Sequence, residues 1–151
     1  MSLDVTGIFD ALVSHAQAIG HLEQVNQHEP KSAPAGLLTG AIWNQETRPI
    51  RASGLASTTV AVVFMVRIYK NMISEPQDAI DPEVMAAMDA LMAAYVGDFT
   101  LGGLIKNIDV LGAHGPSLAA RAGYVPQDGR LYRVVDIVVP CIVNDLWTQA
   151  P

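Results

Sequence analysis

Thr58-Thr59-Val60-Ala61-Val62-Val63-Phe64-Met65-Val66-Arg67-Ile68-Tyr69-Lys70 alternates with a two-residue period. Val60, Val62, Phe64, Val66 and Ile68 fall on one side, and Thr59, Ala61, Val63, Met65, Arg67 and Tyr69 on the other, as a β-strand requires. The first side is wholly apolar. The second is apolar at its centre and amphipathic at its end, so the strand is expected to be covered on both faces for part of its length. The second cover is either another helix layer or another copy of the protein, and the sequence leaves both open.

Working outward, Asp4–Ile19 reads as an amphipathic helix. Val5, Ile8, Phe9, Leu12, Val13, Ala16 and Ile19 recur at spacings of three and four, Ser2 or Asp4 can cap the first turn, and Gly20 stops it. His21–Gly36 is polar and without period, and reads as a short extended piece followed by a loop. Leu37–Glu46 alternates weakly, with Leu38, Gly40 and Ile42 on one side and Thr39, Ala41 and Trp43 on the other, and is expected to be a strand. Thr47–Ser57 contains Pro49 and Gly54 and reads as a long loop.

After the central strand, Asp81–Val96 is the strongest helix. Asp81 is the expected N-cap, Pro82 the first helical residue, and Val84, Met85, Met88, Leu91, Met92, Tyr95 and Val96 the stripe, with Gly97 as exit. Strands are expected at Leu104–Leu111, Ala119–Val125 and Arg130–Val143. Pro126-Gln127-Asp128-Gly129 forms a turn between the last two, and Pro140 marks a bulge or an edge position. The order α-β-β-α-β-β-β indicates a single α+β domain over residues 1–151 with a mostly antiparallel sheet.

With 151 residues, 50% of them hydrophobic and 16% charged, the chain is the size of one domain and unlike a disordered one. Nine Lys and Arg against fifteen Asp and Glu give a net charge of −6, which argues against gripping nucleic acid by neutralising phosphates. Met1–Asp4 has no basic segment of the secretory type, and the apolar run Val60–Val66 ends at Arg67, far short of the ~20 residues that span a bilayer. The expectation is a soluble protein made in the cytoplasm, with no membrane partner.

Chemistry-bearing residues do not converge. His15, His21 and His28, with Glu23 and Glu29, match no zinc spacing. Cys141, the single cysteine, lies between Pro140 and Ile142 in an apolar strand and reads as a core residue rather than a nucleophile paired with His114 or His28. Glu75, Asp78 and Asp81 cluster before a helix start, where carboxylates are expected on structural grounds alone. No G-x-S-x-G motif is present, and Gly102-Gly103 precedes a strand rather than a helix, so neither a nucleophile elbow nor a phosphate cradle is expected. No catalytic residue, metal or cofactor is assigned.

One family pattern runs through most of the chain. It is carried by His28-Glu29-Pro30-Lys31-Ser32-Ala33-Pro34, by Ser53-Gly54-Leu55-Ala56-Ser57-Thr58-Thr59 leading into Val60–Asn71, and by Glu75-Pro76-Gln77-Asp78-Ala79-Ile80-Asp81-Pro82. Gly97-Asp98-Phe99, Ala122-Gly123-Tyr124 and Asp128-Gly129-Arg130-Leu131-Tyr132-Arg133 complete it. In these segments the chain resembles the tail terminator (tail-completion) proteins of long-tailed, non-contractile phages, those of actinobacteriophages in particular. The resemblance implies a small α+β subunit that forms a six-membered ring. Such a ring caps the head-proximal end of the tail tube, stops its polymerisation and meets the head–tail connector protein, while DNA passes through its channel unread. It implies a virion protein assembled in the host cytoplasm, whose partners are other copies of itself, the tail tube protein and the connector.

Within that reading Trp43, Val63, Met65, Arg67 and Tyr69 are candidates for subunit contact, since aromatic residues, Met and Arg are enriched at interfaces. Arg48 and Arg51, the cations of the long loop, are candidates for contact with a neighbouring ring. The rival readings are a head–tail connector or neck protein, and a small hydrolase or ligand-binding domain using Cys141 or the histidines around His28.

Overall fold

A computed structural model describes residues 3–27, 38–51, 54, 56–72 and 77–150. In chain order the elements are α1 (Val5–Ala18), β1 (Gln24–Asn26), β2 (Leu38–Pro49), β3 (Ser57–Asn71), a 3-10 turn (Gln77–Ala79), α2 (Ile80–Gly97), β4 (Asn107–Ile108), β5 (Ala119–Gln127) and β6 (Arg130–Thr148). The strands form one six-stranded sheet in the order β1-β2-β3-β6-β4, with β5 also paired to β6. Only β1 and β2 run parallel; the other pairings are antiparallel, so the α+β, mostly antiparallel expectation holds.

The β3–β6 ladder is the spine. It runs from Ser57↔Thr148 to Asn71↔Tyr132 and is interrupted once, between Thr58 and Val60. The other edge of β6 is shared: β5 takes its first half, from Gln127↔Arg130 to Ala119↔Val138, and β4 follows at Ile108↔Cys141 and Asn107↔Ile142. Pro140 sits at that change of partner, where its C=O accepts from Asp109 N–H at 2.9 Å. A strand residue's N–H and C=O point to the same neighbour, so the donor that proline lacks falls in the gap between β5 and β4. The sequence rule that proline marks an irregular position is met here by a change of partner, without a bulge in β6 at that point.

Both helices lie on one face of this sheet. Ile8, Leu12 and Ala16 of α1 and Val84, Leu91 and Tyr95 of α2 pack with Ile42, Val62, Phe64, Val66, Ile137 and Val139. Phe9 meets Phe64 edge-on, with ring centroids 5.1 Å apart. The Tyr95 hydroxyl, buried in this layer with its pKa pushed up by desolvation, donates to Leu12 C=O at 3.1 Å and so ties α2 to α1. On the opposite face Ala41, Tyr69, Tyr132 and Val134 cluster with Trp43 and Val125, and no described helix residue joins them. Among the described residues, therefore, the two helices cover one face together and neither covers the second.

Several boundaries differ from expectation. The expected loop Thr47–Ser57 is shorter, because β2 continues to Pro49↔Val60 beyond an irregularity between Asn44 and Glu46. That irregularity shifts the alternation, which is why the strand's pattern looked weak and ended early. Arg48 therefore lies in a strand rather than a loop. Asp81 is not the N-cap of α2; Ala79 holds that position without a side-chain cap. The preceding 3-10 turn starts the helix one residue before Asp81, whose carboxylate instead accepts from Arg133 Nε at 2.9 Å. At the other helix Asp4 is the cap, accepting from Gly7 N–H at 3.0 Å, while Ser2 lies outside the described residues. Gly97 is the last residue of α2 rather than its exit, and Asp98 is the C-cap.

The strand expected at Leu104–Leu111 reduces to Asn107–Ile108. Leu101, Gly102 and Gly103 all have positive φ, so the backbone curls through successive turns before it reaches β6. The β5–β6 hairpin turns on Asp128 and Gly129, both at positive φ, while Pro126 is still in the ladder opposite Leu131. Two positive-φ residues between paired strands is the tight turn that Asp-Gly favours.

Candidate functional site

The face of the sheet without helices is organised around Arg67. Its Nε and Nη2 donate to Asp136 Oδ1 and Oδ2 at 2.5 and 3.0 Å, the two-pronged geometry of guanidinium on carboxylate. Register makes this pairing: Arg67 and Asp136 are directly opposite on neighbouring strands, so their side chains leave the same face. The guanidinium carbon lies 5.3 Å from the Trp43 ring centroid and 5.9 Å from that of Tyr69, within the range of cation–π attraction. The hydrogen bond that Arg67 donates to Asp136 raises the Arg67 pKa against the opposing effect of burial, so the group stays charged. Beside it Met65, Ala119, Arg121, Asp136 and Val138 line a hollow of about 230 Å³.

The subunit-contact candidates divide here. Trp43, Met65 and Arg67 share this face and are partly exposed. Val63 and Tyr69 are 3% and 1% exposed, already covered within the subunit. The Tyr69 ring packs edge-on to Tyr132, with centroids 6.3 Å apart. Asp136 and Arg121 were missed by sequence reasoning. The signal was present as single charges within otherwise apolar strands, which are expected to find an opposite charge across a ladder.

Arg48 and Arg51 come together at a second place. They line a cleft of about 420 Å³ with Pro49, Ile50, Ala113 and His114. Arg48 is engaged there: its Nη2 donates to His114 C=O at 3.0 Å, and its Nε lies 3.1 Å from Glu46 Oε1. The His114 loop is built on Asp109, 4% exposed, whose carboxylate oxygens accept from the N–H groups of Ala113 and His114 at 2.8 and 2.9 Å. Gly115 has φ +135°, and a Cβ there would run into the Arg48 guanidinium, so only glycine lets the arginine cross the loop.

Of the remaining reactive candidates, Cys141 and His15 are held in the core or by a partner, while His21 and Glu23 are exposed beside Lys70 and Glu83. Cys141 is fully buried, its thiol pushed up to about 12 by desolvation, which removes the thiolate a nucleophile needs. His15 Nε2 lies 2.9 Å from Asp98 Oδ2 and stacks edge-on to Tyr95. Among the described residues no group of three or more His, Cys, Asp or Glu side chains is placed to hold a metal ion. His28, Glu29 and Glu75 lie outside the described residues. No described helix is long and apolar enough to cross a membrane.

These features define a two-layer α+β domain in which the partly exposed Trp43, Met65 and Arg67 lie on a sheet face that no described helix covers, while His21, Glu23, Lys70 and Glu83 border a separate hollow of about 570 Å³. No family model matches the chain, and no curated protein matches it. Among solved structures it is similar to the sheath/tube terminator, in its extended state, of the PVC extracellular contractile injection system determined by cryo-EM. The identity is 13% and the TM-score 0.49, over 100% of this chain and 62% of that one. The chain thus spans less than two thirds of that protein's length.

Proposed function

We propose that the protein is a non-enzymatic structural subunit that assembles head to tail into a closed ring at the head-proximal end of a phage tail tube. There it stops tube polymerisation and offers a surface to the head–tail connector. The observation that carries this reading is the sheet face bearing Trp43, Met65 and Arg67, which has no helix over it among the described residues. A bare face of aromatic, Met and Arg side chains has the composition of a protein interface. Closed rings are the usual outcome when two different patches on one subunit meet with a rotation that closes. The sequence resemblance to tail terminators supplies the kind of ring, and the net charge of −6 suits a channel through which DNA slides without being held.

Light scattering over a concentration series, with negative-stain images of the same fractions, tests this, alone and with purified tail tubes added. Closed rings of about six copies, found free or on tube ends, are expected. A monomer at every concentration that also leaves tube ends bare would overturn the reading. Binding to portal or adaptor rings instead of tubes would favour a connector.

A further inference from the structure

The outer side of α2 is unusual for a surface helix. From Val84 to Gly97 its one charged residue is Asp89. The buried stripe Val84, Ala87, Leu91 and Tyr95 faces the sheet. A second stripe, Met85, Asp89, Met92 and Val96, flanks it at the three-and-four spacing of a single helix face, with Met92 partly buried against the core. Met85 and Val96 on it are 45% and 47% exposed. A helix apolar on nearly all sides is normally buried on all sides.

We propose that this exposed side of α2 docks on the bare sheet face of a second copy of the chain, with Met85 over the Met65–Val138 hollow and Asp89 paired with Arg121. This rests on the head-to-tail self-association proposed above and names its two surfaces. Three observations select this occupant. The stripe and the bare face are different surfaces of one molecule, because α2 packs on the sheet's other face; each copy therefore carries one of each, as a contact that propagates until it closes requires. The hollow is apolar at Met65, Ala119 and Val138 and accepts a flexible thioether, which adapts its shape to such gaps. The charges are complementary: Arg67 is taken by Asp136, which leaves Arg121 at the rim, and among the described residues neither Arg121 nor Asp89 has an ion-pair partner. Asp89 is exposed on the helix, so reversing it disturbs no buried contact. Arg121 is exposed too but lies opposite Asp136 in the β5–β6 ladder, so Arg121→Asp also sets two carboxylates side by side, an effect that mixing the two variants separates from the interface.

The test is a charge-reversal cycle read by sedimentation velocity and light scattering. Wild type is measured first, and its assembly tests the functional reading by itself. Asp89→Arg alone places arginine against Arg121, and Arg121→Asp alone places aspartate against Asp89; each is expected to weaken self-association about tenfold or more. An equimolar mixture of the two variants restores opposite charges at every contact of an alternating assembly, and is expected to return association to within about threefold of wild type. The mixture also controls for folding, since misfolded subunits cannot rescue each other; Asp89→Lys with Arg121→Glu is the second pair should either variant fail to fold by circular dichroism. If wild type assembles and the single variants match it, or if the mixture stays weak, this interface is wrong and the ring reading stands. If wild type never assembles, alone or on tubes, both fall together.

Discussion

Val60, Val62, Phe64, Val66 and Ile68 of β3 share a core with the helices, whereas Ala61 and Tyr69 on its other side belong to clusters with no described helix residue. Val62, Phe64 and Val66 are buried by α1 and α2 and carry no polar atom in their side chains. Met65 and Arg67, on the other side, are half-covered, and Arg67 is held by a carboxylate and two aromatic rings. A surface that must be tolerable in water and also able to enter a contact cannot be purely aliphatic. An arginine already paired with Asp136 and lying against Trp43 supplies area without an unpaired charge to desolvate. The contrast shows that near-continuous hydrophobicity along a strand can hide two faces that are covered differently.

The largest expected effect separates these faces directly. Phe64→Ala should lower the unfolding free energy by about 3–5 kcal/mol, since it opens a cavity under α1. Met65→Ala, one residue away, should lower it by about 1 kcal/mol or less. Urea unfolding at protein concentrations where only monomer is present measures both, and equal losses would mean that the faces do not differ in this way. Next in size is Asp136→Ala, expected to cost about 2 kcal/mol by leaving a partly buried guanidinium without its carboxylate. A melting temperature unchanged from wild type would show that the bare face does not depend on this pair for its order.

The smallest effect concerns the helix layer and its pH dependence. Asp98 is held below the usual carboxylate range, first by the Gly102 N–H and then by His15. Its contribution to stability is therefore fully present above the unfolded pKa of about 3.9, and is lost as pH falls through the lower folded value. Asp98→Asn should be less stable than wild type at neutral pH and approach it below about pH 4. A gap between the two proteins that stays constant from neutral pH into strong acid would remove Asp98 from the acid response.

Much of this architecture is legible in local pattern. The two faces of β3, the stripe and Asp4 cap of α1, and the Asp-Gly turn between β5 and β6 all rest on short-range rules that the folded chain obeys. What escaped the sequence depends on partners far away in the chain. The run Leu104–Leu111 is apolar enough for a strand, yet Lys106 N–H and Asp109 N–H reach β6 from a backbone curled by Leu101 and two glycines, so the ladder is brief. Asp81 looked like a cap because Pro82 follows it, but Arg133 on β6 claims its carboxylate. The bare face was half legible. Trp43, Met65 and Arg67 follow from alternation, whereas Asp136 and Arg121 require the register between strands, and Val63 and Tyr69 proved to be covered by neighbours that alternation does not reveal.

The place of β6 in the chain bears on how the subunit is made. It follows every other strand in sequence yet lies between β3 on one edge and β5 and β4 on the other. A nascent chain that has emerged only as far as β5 therefore holds β3 with one edge open, and that edge is rich in valine and isoleucine and prone to pair with whatever strand it meets. Pairing of strands so far apart in the chain is slow, and the edge stays exposed until it is made. The Asp136 and Val138 side of the bare face does not exist until residues 130–148 are in place. That face is thus completed late, by the same strand that closes the sheet.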